Sequence, residues 1–217
     1  DKSEIPEEEL QEIEAFLADK VKERKNNSYT GIAEGKNLIL VQLESLQNFA
    51  INLQVDGKEV TPNLNKIAAE SLYFNNFYAQ TAAGNTSDAE FLTNNSLYPL
   101  SVGSAYFTYG SNYFYPVSKL LEDKGYYTSV MHGYNNTFWN RNVVYNSYGI
   151  DSFYYGDYYQ GETLGWGIND MDFLQESVDF MTDLPNPFYS FVVTLTSHHP
   201  FGHVNEANRV ELGDYEE

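Results

Sequence analysis

The stretch "PFYSFVVTLTSHHPF" (residues 187–201) constrains the fold more than any other. Its apolar residues run on without the spacing of an amphipathic helix or the alternation of a half-exposed strand. Such a run reads as a strand buried on both faces, which belongs in a parallel sheet covered by helices. It ends on two histidines, His198 and His199. Two further runs have the same character. "NLILVQLES" (37–45) reads as a buried parallel strand that closes on Glu44, and "YYTSVMHG" (126–133) as a strand that ends on His132. "YFNNFYAQ" (73–80) reads as one more strand.

Helical patterns fall between these runs. Residues 61–72 have Thr61 as N-cap and Pro62 at the first position, which suits its fixed φ and missing N–H. Helices are also predicted over 87–97, over 117–125 with Gly125 as the stop, over 140–150 closed by Gly149, and over 168–184 with Asn169 or Asp170 at the start. Residues 3–25 form a charged amphipathic pattern. Ser3 is its candidate cap, Glu7 to Glu9 its acidic first turn, and Lys20, Lys22, Arg24 and Lys25 its basic end. The apolar stripe is thin (Ile5, Leu10, Ile13, Leu17, Val21), as in a connecting or packing helix. The tail from 202 to 217 is polar and irregular. Alternating strands and helices predict an α/β fold with a mostly parallel central sheet flanked by helices. In such sheets ligands bind outside the carboxyl ends of the strands. Glu44, His132 and His198 all fall there.

Charge and composition narrow the function. A net charge of -19 over 217 residues excludes a basic footprint for nucleic acid or an anionic membrane surface. An anionic substrate would need a local cation or a metal to overcome that field. The absence of cysteine excludes disulfides and thiol catalysis and leaves the compartment open. The 19 Tyr and 14 Phe fit packing with wet hydroxyls, or equally a cleft for a sugar or glycerol. No apolar run is long enough to span a membrane, and no signal peptide opens the chain, so any such segment is expected upstream. P-loop, nucleophile-elbow and zincin motifs are absent.

Four stretches could carry chemistry. Glu44 is an oxygen donor of the kind hard divalent cations need, although a lone carboxylate at a strand end is more often simply solvated. "TAAGNTSDAEF" (81–91) places three hydroxyls, Thr81, Thr86 and Ser87, near a helix start. Helix capping accounts for them and, on this stretch alone, is the favoured reading. A nucleophilic Thr86 would use the same position, because helix N–H groups and a nearby metal stabilise charge there. "MHGYNNTFWNR" (131–141) offers Arg141 for phosphate and Trp139 as an apolar wall for a small polyol, against a core Trp and a surface Arg. "TLTSHHPF" (194–201) offers His198 as proton donor, phosphate contact or metal ligand, against a structural role.

Taken in order, "ILVQLESLQNF", "VTPNLNKIA", "GNTSDAEF..NNSLYPL", "VMHGYNNTFWNR", "YGID.FY" and "PFYSFVVTLTSHHPF" resemble the extracellular catalytic domain of lipoteichoic acid synthases, in the alkaline phosphatase and sulfatase superfamily. The likeness runs from about residue 26 to 201. It implies a phosphoglycerol transferase that moves glycerol phosphate from phosphatidylglycerol to a growing polyglycerolphosphate or glycolipid acceptor, through a covalent intermediate on Thr86. It further implies that Glu44 and Thr86 ligate a divalent metal, usually manganese with magnesium the alternative, and that His132, Trp139, Arg141 and His198 hold the glycerol phosphate. By the same likeness residues 1–30 are an N-terminal helix and linker following a membrane segment of the parent protein. Residues 31–217 are the N-terminal part of a catalytic domain on the outer face of a Gram-positive cell membrane.

Two departures from the family pattern stand out. An acidic residue follows the family's His-Gly pair, whereas here that position is Tyr134. The family's remaining metal ligands, an Asp-His pair far downstream, have no match in this chain. It is therefore expected to be an incomplete sheet with half a metal shell, inactive alone. Two other functions fit the same residues: a sulfatase-superfamily phosphodiesterase or phosphoethanolamine transferase, and a non-catalytic module that binds glycerol phosphate polymers. A formylglycine-dependent sulfatase needs Cys or Ser where Thr86 stands.

Overall fold

The computed structural model describes residues 5–23 and 25–202. Ser3, Arg24 and the late carboxylates of "ELGDYEE" lie outside the described residues. The chain divides into two compact units, residues 1–36 and 37–217. The first holds helix α1 (Glu7–Glu23), with Glu7, Glu8 and Glu9 in its first turn and Lys20 and Lys22 in its last, each set complementing the helix dipole.

The second unit holds the sheet. Its strands are β1 (Leu38–Gln42), two short hairpin strands β2 (Gln54–Val55) and β3 (Lys58–Glu59), then β4 (Tyr127–His132), β5 (Ser152–Tyr154), a second hairpin β6 (Thr163–Leu164) and β7 (Gly167–Ile168), and β8 (Phe188–Val193). Its helices are α2 (Pro62–Ala69), α3 (Asn85–Asn95), α4 (Ala105–Thr108), α5 (Val117–Glu122), α6 (Arg141–Ser147) and α7 (Asp170–Thr182). The main sheet has the order β1-β8-β4-β5, and every pairing in it is parallel.

β8 and β4 lie in the middle and are buried almost throughout, which explains why their sequences read as unbroken apolar runs. Alternate residues of β8 enter opposite cores. Tyr189, Phe191 and Val193 join Phe91, Tyr106, Val144 and Tyr148 from α3, α4, α6 and the turn after it. Phe188 and Val192 join Phe173 of α7, with Phe180 packed against them. Each such large side chain contributes about 1.5–3 kcal/mol by leaving water. The flush register places the site: Gln42 and His132 both lie beside Val193, so three strands finish on one line.

Three expectations are corrected. β1 is parallel but not buried: Leu38, Ile39 and Val41 are 41%, 49% and 45% exposed, because β1 is the edge of this sheet and is covered on one side only by β8. Residues 73–80 form no strand. Asn75-Asn76 makes a turn in the middle of the segment, no backbone among the described residues forms a strand pairing with it, and Phe74, Phe77 and Tyr78 stay exposed. β8 stops at Val193, so His198 and His199 lie in the loop beyond it rather than on its end. Thr61 sits at the N-cap of α2 as expected, but its hydroxyl bonds the Ala50 carbonyl (2.9 Å) and the Asn65 side-chain oxygen (2.9 Å) and caps no helix N–H.

Candidate active site at the carboxyl end of the sheet

Thr86 is the second residue of α3. The turn that delivers it is held by Asp88, whose Oδ2 accepts from the N–H groups of Ala82 (2.9 Å) and Gly84 (3.0 Å). A Cβ on Gly84 would lie 2.1 Å from Asp88 Oδ1, so this buried contact requires glycine. Of the three hydroxyls, Thr81 is exposed and Ser87 is buried and committed, donating to the Gly84 carbonyl (2.8 Å) beside Ser104 Oγ (2.8 Å). Thr86 Oγ1 alone turns to the cleft, where it donates to Glu44 Oε2 at 3.0 Å.

Glu44 lies two residues past the end of β1. Its N–H donates to Thr194 Oγ1 (2.9 Å), which ties it to the segment after β8, and Ser45 Oγ donates to its other carboxylate oxygen (3.2 Å). The pair of oxygens from Glu44 and Thr86 suits a hard divalent cation as two of its ligands. Among the described residues no group of three or more His, Asp or Glu is arranged to hold a metal. The nearby carboxylate of Asp170 is occupied, accepting from the N–H groups of Leu195 (2.7 Å) and Thr196 (2.9 Å). Burial raises its pKa despite those bonds, and the charge of Glu44 adds to the rise. The fit to a metal is therefore real at two positions and unmatched at the others.

His132 is the last residue of β4 and is buried. Its Nδ1 lies 2.9 Å from the Val193 carbonyl, which can only accept, so Nδ1 carries the proton and Nε2 is the free acceptor. Burial, reinforced by the charge of Arg141, holds its pKa well below 6.5. The imidazole is neutral at ordinary pH.

Arg141 opens α6 after a strained turn in which Trp139 and Asn140 both have positive φ (56° and 58°). Two consecutive left-handed non-glycine residues cost about 1–2 kcal/mol each. Asn140 Nδ2 anchors the turn on the Tyr106 carbonyl (2.8 Å). Arg141 and Glu90 of α3 are 1% and 0% exposed. Nε lies 3.1 Å from both Glu90 oxygens and Nη2 lies 2.6 Å from Oε1, while Tyr145 donates to Oε2. Burial works against the guanidinium charge, but Glu90 more than offsets it and the pKa lies above the usual arginine range. Nη1 has no hydrogen-bond partner among the described residues. A buried donor left unmade costs free energy, so this edge of the guanidinium has the capacity to take one more acceptor.

The cleft is lined by all six residues singled out from the sequence: Glu44, Thr86, His132, Trp139, Arg141 and His198. His198 enters from the loop after β8, its ring 5.1 Å from that of Trp166. Trp166 in turn meets Tyr134 (6.3 Å) and Phe138 (6.1 Å), and Phe138 meets Trp139 (5.6 Å), so aromatic rings form a collar around the polar floor. Tyr134 therefore stands inside the cleft wall. Close backbone packing sets the collar: a Cβ on Gly167, next to Trp166, would lie 2.3 Å from the Gly133 carbonyl oxygen.

Sequence reasoning missed Glu90, Phe138, Trp166 and Asp170. Glu90 could have been noticed, since an acidic residue four positions after Thr86 shares its helix face. Trp166 and Phe138 carry no such signal, because nothing in the sequence brings residues so far apart together.

Known proteins show what the chain is similar to. The chain is 46% identical over 195 residues to lipoteichoic acid synthase 2 of Bacillus subtilis, covering 88% of this chain and 30% of that protein. It is 45% identical over 183 residues to lipoteichoic acid synthase of Staphylococcus aureus, covering 81% of this chain and 28% of that one. The chain thus spans under a third of the length of these curated relatives. The structure is similar to lipoteichoic acid synthase LtaP of Listeria monocytogenes, with a TM-score of 0.83 and 28% identity over 92% of this chain and 51% of that chain. The model of the family described as Sulfatase matches residues 36–213. That match runs from before β1 to beyond β8 and takes in every strand of the sheet and every residue of the cleft: the chain belongs to the sulfatase family.

Proposed function

We propose that this chain is the N-terminal part of the catalytic domain of a metal-dependent phosphoglycerol transferase of lipoteichoic acid synthesis, with phosphatidylglycerol as donor and a polyglycerolphosphate or glycolipid as acceptor. The observation that carries the reading is the Thr86 hydroxyl, bonded to Glu44 at 3.0 Å in a cleft that is also lined by the buried Arg141, whose Nη1 has no partner among the described residues. A nucleophile and an anion anchor thus share one wall, as transfer of a phosphoryl group requires. The high identity to lipoteichoic acid synthases supports the choice of substrate class.

In this reading Thr86 Oγ1 forms a bond to the donor phosphorus, the bond from phosphorus to the diacylglycerol oxygen breaks, and diacylglycerol leaves as the alcohol with the proton that Thr86 gives up; an acceptor hydroxyl then takes the glycerol phosphate from Thr86 and returns a proton to Oγ1. Glu44 Oε2, which accepts from that hydroxyl at 3.0 Å, orients it. Arg141 Nη1 donates to a phosphate oxygen, which offsets charge that the acidic protein would otherwise repel. Neutral His132 offers Nε2 as acceptor to a hydroxyl of the glycerol, and Trp139 and Trp166 wall its carbon face. A hard divalent cation held by Glu44 and Thr86, manganese or magnesium, would lower the hydroxyl pKa and draw off phosphate charge. The parent protein is anchored in the membrane with this domain outside, and residues 1–30 connect the two. No helix of the described residues is itself long and apolar enough to cross a membrane.

The test is mass spectrometry of the full-length protein after exposure to phosphatidylglycerol, phosphatidylethanolamine and a sulfate ester in separate reactions. A glycerol phosphate adduct on Thr86, absent in Thr86→Ala, is the expected result. Turnover of only the other two substrates, or full activity of Thr86→Ala, would overturn the reading.

A further inference from the structure

We infer that Glu90 is a positioning residue that aims Arg141 at the phosphate. The inference rests on the anion-holding role of Arg141 proposed above. A guanidinium has five N–H donors in a rigid plane, and its direction is fixed once one edge is held. Glu90 holds the edge made by Nε and Nη2, at 2.6 to 3.1 Å. The opposite nitrogen, Nη1, is the one left without a partner, in a side chain that lines the cleft. Tyr145 donates to the same carboxylate and limits its movement.

Glu90 is fully buried and does not line the cleft, so it acts on a ligand only through Arg141. Its place on α3 adds a second constraint. Glu90 follows Thr86 by four residues, one helical turn along the same face. One rigid helix therefore sets both the position of the reacting oxygen and, through the ion pair, the direction of the anion donor. The separation between them is thereby tied to α3, while the turn before α6 delivers Arg141 to Glu90.

The experiment is calorimetric binding of sn-glycerol 1-phosphate to the full-length protein and to Arg141→Gln, Glu90→Gln, Glu90→Asp and the Glu90→Asp/Arg141→Gln double variant. Arg141→Gln is expected to weaken binding by about tenfold or more, the loss of a charge-assisted hydrogen bond. Glu90→Asp keeps the charge but withdraws the carboxylate by one methylene, and is expected to weaken binding by a similar factor. On the Arg141→Gln background Glu90→Asp should change nothing further, whereas a merely structural effect would weaken binding again. If Arg141→Gln binds like the unaltered protein, the reading of the cleft fails. If Arg141→Gln is weak while folded Glu90→Asp or Glu90→Gln binds normally, only the positioning role fails. Should circular dichroism show both Glu90 variants unfolded, Tyr145→Phe, which frees the same carboxylate, decides: unchanged affinity there also overturns the inference.

Discussion

Replacing His132 should change how stability responds to acid. The folded protein holds this imidazole neutral, with a pKa well below 6.5, because it is buried and faces the charge of Arg141. In the unfolded chain it protonates normally. As pH falls through about 6.5, the unfolded state takes up a proton that the folded state refuses, and stability drops. The slope contributed by one such group approaches about 1.4 kcal/mol per pH unit, down to the folded-state pKa. Above about pH 7.5 the group contributes no slope. His132→Asn is the useful substitution, since its amide can still donate to the Val193 carbonyl that Nδ1 contacts at 2.9 Å. It should lose a roughly constant 1–3 kcal/mol of packing at every pH. Urea unfolding at pH 7.5, 6.5 and 5.5 measures both. The expected outcome is a steep fall for the unaltered protein between pH 6.5 and 5.5 and a shallower one for the variant. The many carboxylates titrate alike in both proteins and cancel in the difference. Parallel curves, with the two proteins offset but equally sloped, would refute the claim that His132 is held neutral.

Gly167→Ala should cost about 1–3 kcal/mol and lower the melting temperature, because the new methyl meets the Gly133 carbonyl at 2.3 Å and Leu195 Cδ2 at 2.9 Å. Asp170→Ala should strand the N–H groups of Leu195 and Thr196, at about 1–3 kcal/mol for each one left buried, and loosen the loop that carries His198. In the full-length enzyme the same change should raise KM more than it lowers kcat, as steady-state kinetics would reveal. Glu44→Gln should weaken manganese binding to the full-length protein by at least about tenfold in equilibrium dialysis, since it replaces a charged oxygen ligand by a neutral one.

The parts of the fold that could be read from the sequence are those whose signal is local. β4 and β8 announce themselves because a strand covered on both faces must be apolar at every position. α7 shows its start through Asn169, whose side chain accepts from the Asp172 N–H (3.1 Å). β1 has the same apolar run but a different fate, because exposure at an edge is decided by neighbours and not by the strand itself. The segment 73–80 has strand-like residues and lacks a partner, so its aromatic rings carry no pairing information. At the site, Glu44 and His132 could be found from the strand ends. Thr86 needed the family pattern, since Thr81 and Ser87 are equally good hydroxyls until the structure shows Ser87 spent on Gly84 and Ser104. The collar of Tyr134, Phe138 and Trp166 was not legible, because ring contacts across thirty residues leave no periodic trace.

The order of the main sheet bears on how the chain acquires its shape as it is made. β1 and β4 each pair with β8 and not with one another, so the first strand must wait some 150 residues for its neighbour to be synthesised. Until β8 emerges, α3 can carry Thr86 but nothing fixes Glu44 opposite it. Long-range parallel pairing of this kind is slow to form and leaves strand edges open meanwhile. A ribosome-bound chain halted before residue 188 should therefore be open to protease throughout β1, whereas β1 in the finished chain is protected along the side that β8 covers.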